Sequence, residues 1–275
     1  TSVSLPNHPF IPTNTDGEDR VMVVDNFQLS MFQTCPAKYQ RRIIQGWKKR
    51  RQSAALSFGQ ILHLGLEVWY RTKNLDNAIA AMEFEWPADH DNEDFRDLYK
   101  CVSVLREYVE EYPREPWTVV GYGTDQPMVE VSFTLPLLDA NGNQLSTFDG
   151  YRIMYGGIID LAFDFNGQLY IMDHKTTTRL GDYYFNQYKP NNQMTGYIWG
   201  MSQLTNRTVG GAWINAIGLY KKSPTKFKRG LTQRSAEDIA AWVHDVHHSC
   251  NLMRAAMITG EFPTFTNACT LYGKC

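Results

Sequence analysis

The chain has 275 residues and a formal net charge of -2, with 43% hydrophobic and 20% charged residues. These values describe an ordinary globular protein of one large domain or two small ones, and they exclude a fibrous or low-complexity chain. No apolar run approaches the ~20 residues needed to cross a bilayer, so no membrane partner is expected.

Residues 1–24 are rich in Pro, Asn and Thr and lack a basic stretch followed by an apolar one. They read as a flexible leader rather than a secretory signal. Ser30 is the expected N-cap of a turn at Met31-Phe32-Gln33, and Pro36 opens a helix through Tyr39 and Ile43. A longer helix is expected over 53–71. There Phe58, Ile61, Leu62, Gly65, Leu66 and Trp69 form one apolar stripe, while His63, Glu67 and Tyr70 share another face. Two more helices are expected near 76–86 and 93–112.

The period then changes. Val129, Val131 and Phe133 alternate with Glu130, Ser132 and Thr134, as in a half-buried strand over 128–138. Gly156 to Phe165 and Gln168 to Lys175 flank Asn166-Gly167, the strongest short-range hairpin signal. A helix at 191–203, a strand at 211–220, a basic loop and a helix at 235–258 complete the chain. The order implies an α/β (α+β) fold, a central mixed sheet flanked by helices with helical decoration at both ends. A single domain over 25–275 is expected, with a helical part at 25–115 and a cysteine-bearing tail at 260–275.

Basic residues cluster at Arg41, Arg42, Lys48, Lys49, Arg50 and Arg51, and again at Lys221, Lys222, Lys226, Lys228 and Arg229. They read either as solvated surface or as two patches that contact phosphate.

The hairpin carries the chemistry. A two-residue loop at Asn166-Gly167 pairs Phe165 with Gln168, and the same register sets Asp160 opposite Asp173. Lys175 lies two residues beyond and points to the same side. Opposed like charges destabilise a sheet, and a divalent cation is the usual remedy. The Lys175 ammonium could act on a water nucleophile or stabilise charge developing on phosphorus.

Gly157-Ile-Ile-Asp160 followed by Asp173-His174-Lys175 resembles the PD-(D/E)XK nuclease superfamily, in particular its RecB-like exonuclease branch, and implies a restriction-endonuclease-like core. Gly59-Gln-Ile-Leu-His63-Leu-Gly-Leu-Glu67 is similar to that branch's upstream G-x-x-x-H-x-x-L-E helix. Gln193 and Tyr197 are similar to its Q-x-x-x-Y helix, and Glu130 sits where many members carry an acidic residue. Asp173 stands where a glutamate is more frequent.

The resemblance implies Mg²⁺ or Mn²⁺ held by His63, Asp160, Asp173 and the carbonyl of His174, with Lys175 activating water. Gln193 would support the metal or contact DNA, Tyr197 would contact the strand, and Glu67 and Glu130 would support the site. Arg41, Arg42, Lys221 and Lys222 are the candidate phosphate contacts. The implied activity is hydrolysis at DNA ends, single-stranded ends among them, in recombination, repair or phage DNA processing. A CRISPR-adaptation-type trimming nuclease and a non-catalytic end-binding module are the alternatives. A helicase or a recombination or replication partner would come from another chain, and a bacterial or phage-infected cytoplasm is the expected setting.

The cysteines are Cys35, Cys101, Cys250, Cys269 and Cys275. CRISPR-adaptation nucleases and AddB join an upstream cysteine to a C-terminal group through a [4Fe-4S] cluster. Cys35, Cys269 and Cys275 are similar to those positions, one short of the usual four thiolates. Free thiols and a zinc site are the other readings. Cys101 and Cys250 fall on apolar helix faces and read as core.

Overall fold

Asn166 and Gly167 take φ values of 53° and 80°. Two successive left-handed residues make the type I′ turn that matches the twist of paired strands. The turn joins β5 (Arg152–Phe165) to β6 (Gln168–Thr177). In this computed structural model the described residues are 10–12, 20–48, 52–87, 94–121 and 126–269. The chain divides into two compact units. The first is Thr1–Lys48, Ser132–Gly157 and Arg234–Cys275; the second is Lys49–Val131 and Ile158–Gln233.

In the first unit β1 (Phe10–Pro12) runs antiparallel to β2 (Arg20–Asp25), and β2 pairs in parallel with the start of β5 from Arg152 to Gly156. The expected leader therefore contains two strands. The apolar run Val21-Met-Val-Val24 finds a ladder that no local pattern announces. Helix α1 is Asn26–Thr34, capped by the Asp25 carboxylate, which accepts from Gln28 N–H at 2.8 Å. Ser30 is therefore inside the helix rather than its cap: Asp25, at the end of β2, offers an acceptor one turn earlier. Pro36 opens α2 (Pro36–Tyr39) as expected, and that helix continues as a π-helical turn, Gln40–Ile44. Helix α7 (Ala236–Thr259) starts with a reciprocal capping box between Ser235 and Asp238.

In the second unit β6 pairs in parallel with β7 (Val209–Gly218), and β7 pairs antiparallel with β8 (Lys226–Thr232). The short β3 (Thr118–Val119) and β4 (Val129–Pro136) also pair with β5. The basic loop expected after the strand at 211–220 ends at Thr225, and Lys226–Thr232 is an edge strand. Its alternation carries the information: Lys226 and Lys228 are exposed, while Phe227 and Arg229 are more buried.

Helices α3 (Ala54–Thr72), α4 (Leu75–Phe84), α5 (Leu98–Glu111) and α6 (Asn192–Thr205) belong to this unit. Phe58, Leu62 and Leu66 of α3 are fully buried with Met82 and Leu105. Gly65 permits the close approach, because a Cβ there would lie 2.4 Å from Met82 Sδ. Tyr70 joins this core while Trp69 stays partly exposed, a one-residue rotation from the expected stripe. Among the described residues no helix is long and apolar enough to cross a membrane.

Candidate metal centre and active site

The hairpin register holds over five pairs, from Phe165↔Gln168 to Leu161↔Met172. Beyond Met172 the ladder gives way to a side-chain bond: the Asp160 carboxylate accepts from the His174 backbone N–H at 2.7 Å. The expected direct opposition of Asp160 and Asp173 is therefore relaxed. Two buried carboxylates held face to face would repel, and one now satisfies a backbone donor.

Asp160 is buried, and His63 Nδ1 from α3 lies 3.4 Å from its Oδ2. Glu130 of β4 completes a group in which one ligand atom from each of His63, Glu130 and Asp160 lies within 4.8 Å of the others. Among the described residues this is the one group of three or more such side chains able to hold a metal ion. Glu130 has φ 50°, a left-handed conformation uncommon for a non-glycine residue in a strand. Strain of that kind concentrates at functional sites.

Burial raises the Glu130 carboxyl to about 8, with the Asp160 and Glu67 charges adding to it. Burial also raises Asp160 to about 6; His63 opposes the shift and Asp173 adds to it. Two carboxyl groups gathered around a histidine form an oxygen-rich donor set suited to a divalent cation.

Asp173 stands beside this group. Its Oδ2 is 2.7 Å from Lys175 Nζ, which confirms that the two side chains share a face. Asp173 Oδ2 is buried, and the Lys175 ammonium is its partner. Its other oxygen, Oδ1, accepts from Gln193 Nε2 at 3.3 Å. Gln193 also donates to the Tyr197 hydroxyl at 3.2 Å and accepts from Lys175 at 3.2 Å. The i, i+4 spacing of Gln193 and Tyr197 on α6 thus serves one site. Burial pulls the Lys175 ammonium down, but the Asp173 and Asp160 carboxylates outweigh it and hold its pKa above the usual value.

The structure brings His63, Glu130 and Asp160 together, with Asp173, Lys175, Gln193 and Tyr197 linked beside them. Two carboxyls raised by burial and by each other's charge, beside the buried Asp173 carboxylate, are the state that a bound cation would relieve.

His174 contributes its N–H to Asp160, and its imidazole is buried. The ring stacks on Tyr70 and meets His63 edge-on, with centroids 5.7 Å apart in the latter contact. Asn215 Oδ1 accepts from Arg229 at 3.3 Å, so the Asn215 amide nitrogen faces His174 Nδ1, 2.7 Å away. His174 therefore accepts at Nδ1 and carries its proton on Nε2. Burial keeps it neutral, with His63 and Arg229 pushing the same way.

Behind His174 lies a network that no motif signalled. Arg229 makes a bidentate pair with Glu115, both bonds 2.7 Å, and donates to the Tyr108 hydroxyl at 2.9 Å. Tyr70 donates to Glu115 at 2.8 Å. Arg229 is thus removed from the basic cluster, with its side chain only 10% exposed. The inward parity of β8 was the available signal.

Lys221 and Lys222 are exposed, as is Arg41, and Arg42 is half-buried. Lys49, Arg50 and Arg51 lie outside the described residues. Glu67 pairs with Arg71 at 3.0 Å and lines the same cavity as His63. Cys101 and Cys250 are fully buried, as core residues. Cys35 is buried and Cys269 partly exposed, while Cys275 lies outside the described residues.

A mixed sheet flanked by helices, with an acidic–lysine hairpin facing a histidine helix, defines a nuclease of the restriction-endonuclease-like fold. The chain belongs to the PD-(D/E)XK nuclease superfamily, which matches residues 27–275. Among solved structures, a protein designated an exonuclease from Eubacterium rectale shares the fold. It is 12% identical, covers 87% of this chain and 83% of its own, and has a TM-score of 0.52. The structure of LHK-Exo in complex with dAMP is 14% identical over 74% of this chain and 94% of its own, with a TM-score of 0.31. No curated protein matches the chain.

Proposed function

We propose that this protein is a divalent-cation-dependent DNA exonuclease that hydrolyses phosphodiester bonds at DNA ends. The observation that carries the proposal is His63, Glu130 and Asp160 converging beside the Asp173–Lys175 pair. When bound, Mg²⁺ or Mn²⁺ supplies Lewis-acid polarisation of a phosphoryl oxygen and offsets the charge that develops there. His63, Glu130 and Asp160 would hold it, with the neighbouring Asp173 carboxylate shared between the ion and Lys175.

The chain's own residues do the rest. Lys175 keeps its charge because Asp173 and Asp160 flank it, and it presents a donor to an attacking water or a phosphoryl oxygen. Gln193 ties Lys175, Asp173 and Tyr197 into one unit, so the ammonium stays oriented without a substrate. The N–H of His174 fixes Asp160. Arg41, Arg42, Lys221 and Lys222 are candidate phosphate contacts, which would make binding salt-dependent. Recombination, repair or phage DNA processing is the fitting context, with any helicase supplied by another chain.

DNA labelled at one end, incubated with Mg²⁺, Mn²⁺ or EDTA, tests the proposal beside Asp160→Asn and Lys175→Ala. Metal-dependent shortening lost in both variants is expected. Intact DNA in every lane, with binding retained, would replace the enzyme by an end-binding module.

A [4Fe-4S] cluster on Cys35, Cys269 and Cys275 belongs to the same proposal. Ala37 N–H donates to the Pro263 carbonyl at 3.2 Å, which brings the turn after Cys35 against the segment before Cys269. Iron and acid-labile sulfide near four atoms each per chain are expected after anaerobic purification. Colourless, iron-free protein of full stability would remove the cluster.

A further inference from the structure

His63 and Glu130 of the metal-ligand group line a cavity of about 570 Å³ with a wall that the proposed chemistry does not use. Along α3, Ala55, Gly59, His63 and Glu67 line it at i, i+4 spacing, with Leu56, Gln60 and Leu64 in the next row. Ile158 of β5 and Lys175 and Thr176 of β6 line it too.

Two features are unusual. Leu56 is 55% exposed and Ile158 is 37% exposed, so two branched apolar side chains meet solvent within a cavity that also holds acidic groups and a lysine. Between them the helix turn at Ala55 and Gly59 carries almost no side chain, and a Cβ on Gly59 would make only ordinary contact with Thr176 at 3.5 Å. The spacings are telling. Ile158 is two strand residues from Asp160 on the same face, about 7 Å away. Leu56 is seven helical residues from His63, about 10 Å along the axis. An apolar wall at that remove from a cation site matches a nucleotide, whose phosphate and base are separated by its sugar.

We propose that this cavity seats one unstacked nucleotide of the DNA strand. Its base lies against Leu56 and Ile158, its sugar over Ala55 and Gly59, and its phosphate at His63, Glu130 and Lys175. The assignment rests on the reading of DNA as substrate. Leu56 and Ile158 themselves offer no hydrogen bond to a base edge, and the Oε1 of the nearby Gln60 already accepts from Gln52 at 2.5 Å. Such a seat accepts any base by contact with its face, and it discriminates against an abasic nucleotide.

The experiment uses single strands with 2-aminopurine at the first or last position, bound in EDTA so that occupancy is read without cleavage. Normal and abasic-ended strands are then compared in steady state with Mn²⁺. For the wild type, a fluorescence change from one of the two end positions is expected, with a KM at least tenfold higher on the abasic end. Leu56→Ser with Ile158→Ser should remove the fluorescence change and raise KM about tenfold on normal DNA while leaving the abasic value alone. Both sites are exposed, and Leu56→Ser alone gives a milder version if the double variant folds poorly. Equal KM for normal and abasic ends, or fluorescence unaltered by both variants, would overturn the seat even with active enzyme. A fluorescence change lost in the variants, from a protein that cuts nothing, would uphold the seat and sink the nuclease reading.

Discussion

Removing Arg229 should destabilise the protein far more than removing any other residue of its basic cluster. Its guanidinium and the Glu115 carboxylate are each only 10% exposed and joined by two 2.7 Å bonds. Arg229 also lies 3.6 Å from the centre of the Tyr112 ring and bonds Tyr108 and Asn215. Arg229→Ala would leave Glu115 charged in a buried site and free acceptors on Tyr108 and Asn215. Breaking a buried pair from one side costs about 3–5 kcal/mol, a large share of a total near 5–15 kcal/mol. Replacing both partners, as Arg229→Met with Glu115→Leu, removes the stranded charge and should recover most of the loss. Urea unfolding of the four proteins closes a double-mutant cycle. A loss below about 1 kcal/mol in Arg229→Ala, or a double variant as unstable as the sum of the singles, would refute the argument. Lys228→Ala is the control: its ion contact to Asp182 is long, 3.8 Å, and exposed, so it should cost less than about 1 kcal/mol.

Two further outcomes can be measured simply. Glu130 and Asp160 have folded-state pKa values raised to about 8 and about 6, above the usual ~4 of an unfolded carboxylate. Raised values mean that the folded state holds the protons more tightly, so this stabilisation is complete below pH ~4 and is lost as pH rises through 6 and 8. In thermal melts between pH 7 and 8.5, above the range in which the buried neutral His174 favours folding as pH rises, metal-free protein should lose Tm with rising pH, and Mn²⁺ should shrink the loss; a Tm that climbs over that range contradicts the site's electrostatics. Gly65→Leu drives carbon into Met82 and Leu105 and should cost about 1–3 kcal/mol by overpacking, whereas unchanged stability would show that α3, α4 and α5 can part.

Much of the site was legible because it is local. Asn166-Gly167 sets the hairpin, and its register places Asp173 and Lys175 on one face near Asp160, since side-chain direction alternates strictly along a strand. The 3.6-residue period turns His63 away from the buried stripe of α3, and it pairs Gln193 with Tyr197 on α6. The tertiary structure decided what depends on distant partners. Residues 20–25 are a strand because β1 and β5 pair with them. Glu130 enters the metal-ligand group through a left-handed backbone angle that no propensity favours. Arg229 turns from a surface charge into a buried anchor because β8 points it at Glu115. Periodicity fixes which way a side chain faces within its own element, but the partner across the gap comes from packing, because burial free energy is summed over contacts that sequence neighbours do not share.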